Sequence, residues 1–209
     1  MNISIIIIII TVGISALAFR DHSLFDKLKF NAYAIKHHNQ WYRAFTYGFI
    51  HADIPHLAIN MFVLYSFGEV VLKLFNHFFE GKEIFYFLIL YIGGLGFSTL
   101  FDMRKYKDSP SYNAVGASGA VSAVVFASIL FFPLGKISFI FIPFGDGIPS
   151  FIFGGLYLIF SAYMSKKNID NVGHSAHFWG AIYGFILPIA IKPTLFLLFI
   201  DQISNFFQF

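Results

Sequence analysis

Ser118 stands between glycines in the stretch Val115-Gly116-Ala117-Ser118-Gly119-Ala120, which opens an apolar run continuing to about Phe132. Lipid offers a hydroxyl no partner, so a serine there usually bonds back to its own helix. The glycines remove bulk on both sides, and another helix or a substrate backbone can then approach the hydroxyl closely. Two chemistries fit. One is small-residue helix packing, with Gly119 at the seam. The other is an exposed nucleophile, which needs a base and a set of oxyanion donors from elsewhere in the chain.

Two further residue groups are candidates for those parts. His56 and Asn60 sit four apart, on one face of a helix. His174 and His177 sit three apart near the start of another apolar segment. Each also has a plain reading: a buried histidine hydrogen-bonded into a core, or an asparagine joining two helices. His174-Ser175-Ala176-His177 is a poor metal pair, because it lacks the H-E-x-x-H spacing and a carboxylate in its segment. What unites the candidates is side and depth. If their segments cross a membrane in alternation, the second, fourth and sixth all begin on the same side. Helix rise then puts Ser118, Asn60 and His177 at one level, roughly 6–9 Å inside. His177, Gly180 and Gly184 lie on one stripe, and this G-x-x-x-G face is expected to dock on the glycine face of the Ser118 segment. That would bring the imidazole to the hydroxyl. His174, one turn nearer the helix start, is expected closer to water.

The elements that must position these residues are membrane-length. The 209 residues are 57% hydrophobic and 12% charged, with mean hydropathy +0.71, against about 25% charged in soluble domains. The chain is therefore expected to be a single polytopic membrane domain, an all-α bundle of six spans at about 3–19, 56–75, 84–100, 114–132, 148–164 and 172–191. The first is read as a retained span, since no Lys or Arg precedes it. Gly93, Gly94 and Gly96 in the third are close-packing positions, and Pro55 suits the first turn of the second. Arg20–Asp53 is the longest polar section; its Trp, Tyr, Lys and Arg predict short interfacial helices. Ile137–Phe144 is apolar but too short to span, and the tail Thr194–Phe209 reads as an interfacial helix. No Lys/Arg run exceeds two residues, which argues against nucleic acid as a partner. The absence of cysteine excludes disulfides, thiolate catalysis and cysteine-bound metals. The Ile-, Phe-, Lys- and Asn-rich composition suits an AT-rich bacterial gene.

Taken together and in order, these residues resemble the rhomboid intramembrane serine proteases. The pieces are Trp41-Tyr42-Arg43 with Phe45-Thr46, Phe49-Ile50-His51-Ala52, His56-Leu57 with Asn60-Met61, Gly116-Ala117-Ser118-Gly119-Ala120, and Ala176-His177 with Gly180 and Gly184. The resemblance runs from about Trp41 to Gly184, within a core of about 41–191. It implies Ser118 as nucleophile and His177 as general base. His56, Asn60 and the Ser118 N–H serve the oxyanion, Gly116 lies in the substrate-binding group, and Arg43 is structural. It further implies a Ser–His dyad with no metal or organic cofactor, substrates that are membrane proteins cleaved in or near transmembrane segments, and residence in a lipid bilayer, here the bacterial cytoplasmic membrane. Lateral access near the second and fifth spans is also implied. Three departures stand out. The position four residues after the nucleophile, often aromatic in the family, is Ser122, so His177 is expected to be oriented by Phe126 or a neighbouring helix. Gly68 leads to Leu72 where many relatives carry glutamate. Ten of the 14 Lys and Arg lie on the side of the first loop, which by charge would be cytoplasmic; the family topology places that side outside, and this is the orientation expected. Two rivals remain: a non-catalytic member of the same fold that binds membrane helices, and a small transporter. The first usually lacks the serine or histidine, and the second predicts paired acidic residues at midplane, which the spans do not have.

Overall fold

The computed structural model describes residues 2–138, 147–167 and 173–208. Its elements are α1 (Ile3–Ala18), α2 (His22–Leu28), α3 (Ala32–His38), α4 (Arg43–Thr46), a 3₁₀ turn (Tyr47–Phe49), α5 (Ile54–Phe79), α6 (Glu83–Lys105), α7 (Ser118–Phe131), β1 (Lys136–Ile137), β2 (Ile148–Pro149), α8 (Ser150–Lys167), α9 (His174–Ile191) and α10 (Thr194–Phe206). Of these, α5 and α6 are long and apolar enough to cross a membrane. The pair α9 and α10, bent by 115° at the intervening break, passes the same test as a unit, while α1 and α7 are shorter apolar helices.

The fold is built around α7. Its sequence is apolar or small on every side, as suits a helix enclosed by others, and every residue from Gly119 to Phe131 is buried. α5, α6 and α9 pack around it, and α8 and α10 touch it as well. The closest seam is with α9. A Cβ built on Gly180 would lie 2.7 Å from the Gly119 carbonyl carbon, and one on Gly184 would lie 2.5 Å from that of Ala123. On another side Gly94 of α6 meets Ala120, where a Cβ would stand 3.1 Å from its Cα. Small residues thus let backbones touch, the packing that remains effective when lipid is the competing apolar solvent. Gly93 lies against Tyr183 and Gly96 against Phe45.

The polar section after α1 folds into three short helices and the 3₁₀ turn. Asp21 and Asn31 cap α2 and α3 through their side chains, each satisfying first-turn N–H groups. Arg43 ties the section together, donating from Nη1 to the carbonyls of Asp26 (2.7 Å) and Lys29 (2.8 Å) and from Nε to Gln40 (2.5 Å). Asp53 caps α5, accepting from the His56 N–H at 2.7 Å, with Pro55 in the first turn.

Element boundaries differ from the sequence reading in two places, and two further stretches lie mostly outside the described residues. The fourth segment is not helical from residue 114. Ala114 exchanges backbone hydrogen bonds with Phe30 (2.9 and 3.2 Å), and Gly116 takes φ +108, a conformation natural to glycine. The helix therefore starts at Ser118, which lies at its first residue rather than 6–9 Å along a span. Residues 148–149 pair with 136–137 as an antiparallel hairpin, Lys136 opposite Pro149 and Ile137 opposite Ile148, before α8 begins. Finally, the expected interfacial stretch Ile137–Phe144 is described only in its first two residues. The loop Lys166–Asn171 is described only at Lys166 and Lys167, and Val172 lies outside the described residues.

Candidate active site

Ser118 occupies the N-terminus of α7, and it alone among Gly116–Phe131 is not buried. No side chain caps this helix, so first-turn N–H groups, including that of Ser118, lack intrahelical acceptors and point outward. The hydroxyl and these N–H groups share one end of the helix.

The lead-in Gly116-Ala117 is held from three directions. The Gly116 N–H donates to the Tyr47 carbonyl at 3.0 Å. The Ala117 N–H donates to His51 Nε2 at 3.3 Å. The His56 ring lies directly over Gly116, where a Cβ would stand 2.5 Å from Cε1 and 2.8 Å from Nε2. Only glycine, through its missing side chain and positive φ, admits the imidazole there. His51 is fully buried, and burial pushes its pKa down to about 4, so it is neutral. Nε2 accepts from Ala117, which leaves the proton on Nδ1. Nδ1 then donates to Ser15 Oγ at 3.1 Å, and the Ser15 hydroxyl donates to the Phe49 carbonyl at 2.9 Å. α1 thereby reaches the peptide that precedes Ser118.

Asn60, one turn along α5, is buried, and its Nδ2 donates to the His56 carbonyl at 2.9 Å. That bond uses one of two amide hydrogens. His56 itself is half-buried, and its ring meets His51 edge to face at 5.0 Å between centroids.

α9 brings the second histidine pair. Gly180 lies on Gly119, and the Ala176 carbonyl oxygen lies 3.3 Å from the place of a Gly119 Cβ. The neighbours of His177 in sequence therefore touch the neighbour of Ser118. His177 is half-buried and stacks with Tyr157 of α8 at 6.2 Å between centroids, planes 28° apart. His174 is the more enclosed of the two, at 7% exposure. The expectation that it sits closer to water than His177 is corrected: Phe160 of α8 packs edge to face against it at 5.6 Å. At the same helix end, Asp102 of α6 accepts from the Tyr112 hydroxyl at 2.7 Å and bonds Ser175 of α9.

The structure thus gathers the α7 N-terminus, His56 above Gly116, and the α9 turn that carries His177. Sequence reasoning had no role for Tyr47, Ser15 or Tyr157. It quoted His51 only as part of a motif. His51 lies in an irregular segment without periodicity, and Tyr157 in an apolar helix where nothing local distinguishes it. Ser98, buried between the Tyr47 hydroxyl (2.9 Å) and Gly119, completes the support beneath the site.

Two comparisons bear on this arrangement. Over 149 residues the chain is 28% identical to the presenilin-associated rhomboid-like protein A, mitochondrial, of Danio rerio, a match that covers 65% of this chain and 34% of that protein. The chain therefore spans about a third of the length of the curated relative it matches. The family model described as Rhomboid domain matches residues 38–193, which take in every residue of the site on α5, α7 and α9. With its apolar helices packed around α7, this chain is an integral membrane protein and belongs to the rhomboid family.

Proposed function

We propose that this chain is an intramembrane serine protease that hydrolyses peptide bonds in or beside the transmembrane segments of other membrane proteins. The observation that carries the proposal is Ser118: the one accessible side chain of an otherwise enclosed helix, at the end where backbone N–H groups lack intrahelical acceptors, beside the turn that holds His177. In this reading six spans form the bundle, corresponding to α1, α5, α6, α7, α8 and α9, and the site opens on the side where α5, α7 and α9 begin. The membrane is the bacterial cytoplasmic membrane.

On this reading the residues divide the work as follows. His177 takes the Ser118 proton as Oγ attacks the scissile carbonyl. The developing oxyanion is met by the Ser118 N–H, His56 and Asn60. Such donors typically contribute about 10²–10³-fold each to rate. His177 then protonates the leaving amine, and water attacks the acyl-enzyme. A helical substrate hides its backbone groups, so its scissile region must unwind before it can reach Ser118. A non-catalytic rhomboid-like role in binding membrane helices is the alternative. A fluorophosphonate probe separates the two: the protease reading expects covalent labelling of Ser118, lost in Ser118→Ala, together with cleavage of a reporter transmembrane substrate. An unlabelled, inactive but folded chain would sink it.

A further inference from the structure

A general base must be held in one orientation, and in this chain the means lie on a third helix. Tyr157 of α8 stacks with the His177 ring (6.2 Å, 28°), within the range of offset aromatic pairs. The Tyr157 and Ser122 hydroxyls are 2.6 Å apart, the length of a strong O–H···O bond. Ser122 lies on α7 one turn after Ser118, on the same face. Phe126, a further turn along, and Phe153 pack against the tyrosine ring at 5.6 and 5.8 Å between centroids. The tyrosine is therefore fixed at its ring by aromatics and at its hydroxyl by the serine that stands four residues after Ser118. His174 meets the His177 ring edge to face at 5.9 Å. It lies on the same helix as His177, so it cannot relate that ring to α7.

We infer that Tyr157, anchored through its hydroxyl by Ser122, is the positioning residue that orients His177 toward Ser118. This rests on the protease reading above. The inference has a structural consequence: α7 supplies the serine and the anchor, α9 the histidine, and α8 the ring between them. The base is set in place only while α8 is docked on α7.

The test uses the full-length chain purified in detergent and reconstituted in liposomes with a reporter transmembrane substrate. Tyr157→Leu removes the ring, Tyr157→Phe keeps the ring without its anchor, and Ser122→Ala removes the anchor alone. Loss of orientation by the base costs rate rather than binding, so Tyr157→Leu is expected to lower kcat by about 10–100-fold with KM within about twofold. Tyr157→Phe should recover most of that loss. Ser122→Ala should match Tyr157→Phe, and the double variant should lose no more than either, as expected of two ends of one bond. A second readout does not depend on turnover. With histidine isotopically labelled and the signal assigned by His177→Gln, Tyr157→Leu should shift the His177 ring resonances through loss of the tyrosine ring current, and Tyr157→Phe should leave them near the native values. Normal kcat in Tyr157→Leu, or His177 resonances unmoved by it, overturns the inference while the protease reading stands. A folded wild-type chain that neither cleaves nor takes the fluorophosphonate overturns the protease reading, and with it any catalytic role for Tyr157. A lower melting temperature in Tyr157→Leu with unchanged kcat per folded molecule would make the tyrosine a packing residue only.

Discussion

Two helices flank α7 in opposite ways. α9 lays glycines on its backbone, Gly180 on Gly119 and Gly184 on Ala123. Between α8 and α7 the contacts run through side chains: the Tyr157 hydroxyl on Ser122, and the Ile129 and Phe126 side chains of α7 beside Gly154. Within α8 only Ser150, Gly154 and Ser161 are buried, and Ile152, Leu156, Ile159 and Tyr163 face outward. In lipid that outward apolar face carries no penalty. The difference separates two jobs. The seam beside Ser118 and His177 is set by backbone proximity, Gly180 on Gly119 and Gly184 on Ala123, which no side chain can imitate. The contact proposed to orient the histidine is made by side chains, the Tyr157 ring on His177 and its hydroxyl on Ser122.

Four sets of substitutions break or sharpen this contrast, from the largest expected effect to the smallest. Ser118→Ala and His177→Ala should abolish proteolysis and probe labelling at unchanged melting temperature, because neither residue forms the seam. Turnover by Ser118→Ala at the wild-type rate would remove the nucleophile assignment. Gly180→Val or Gly184→Val puts atoms where carbonyls of α7 already are. Overpacking of this kind typically costs about 1–3 kcal/mol and occasionally more, so both thermal stability in detergent and activity should fall, with Ser118 displaced from His177. Retained stability would mean the helices are not in backbone contact.

The third concerns the donors on α5. Asn60→Ala or His56→Ala should raise the barrier by roughly 1–4 kcal/mol, read as lower kcat with little change in KM. The two losses should not simply add, since both groups would serve one charge. For Asn60 the bond to the His56 carbonyl supplies a competing expectation, a lower melting temperature with normal kcat, and measuring both on the same protein decides. The smallest effect belongs to the outer face of α8. A Cβ at Gly155 meets nothing within 4 Å, so Gly155→Ala should stabilise the helix by up to about 1 kcal/mol and leave kcat alone. A marked loss of activity there would show that α8 is not free of partners on that face.

Much of this molecule could be read residue by residue. Apolar length located α1, α5 and α6 to within a few residues, and the Trp-, Tyr- and Lys-bearing section after α1 announced short helices. The residue types that could do chemistry were Ser118, His177, His56 and Asn60, and the stripe of His177, Gly180 and Gly184 named the face on which α9 would dock. Those signals are local: periodicity, composition and missing side chains belong to one segment at a time.

What only the tertiary structure decided depends on partners distant in sequence. The helix begins at Ser118 because Ala114 pairs with Phe30 and because Gly116 turns beneath the His56 ring; nothing within residues 114–118 states that boundary. His51 takes its tautomer from Ala117 on one side and Ser15 on the other. Tyr157 faces His177 and Ser122 while Leu156 beside it faces outward. In a soluble helix, polarity would have told those two faces apart. In a membrane the solvent is as apolar as the core, so an inward and an outward side chain look alike in the sequence, and only the packing of three helices shows which one holds the histidine.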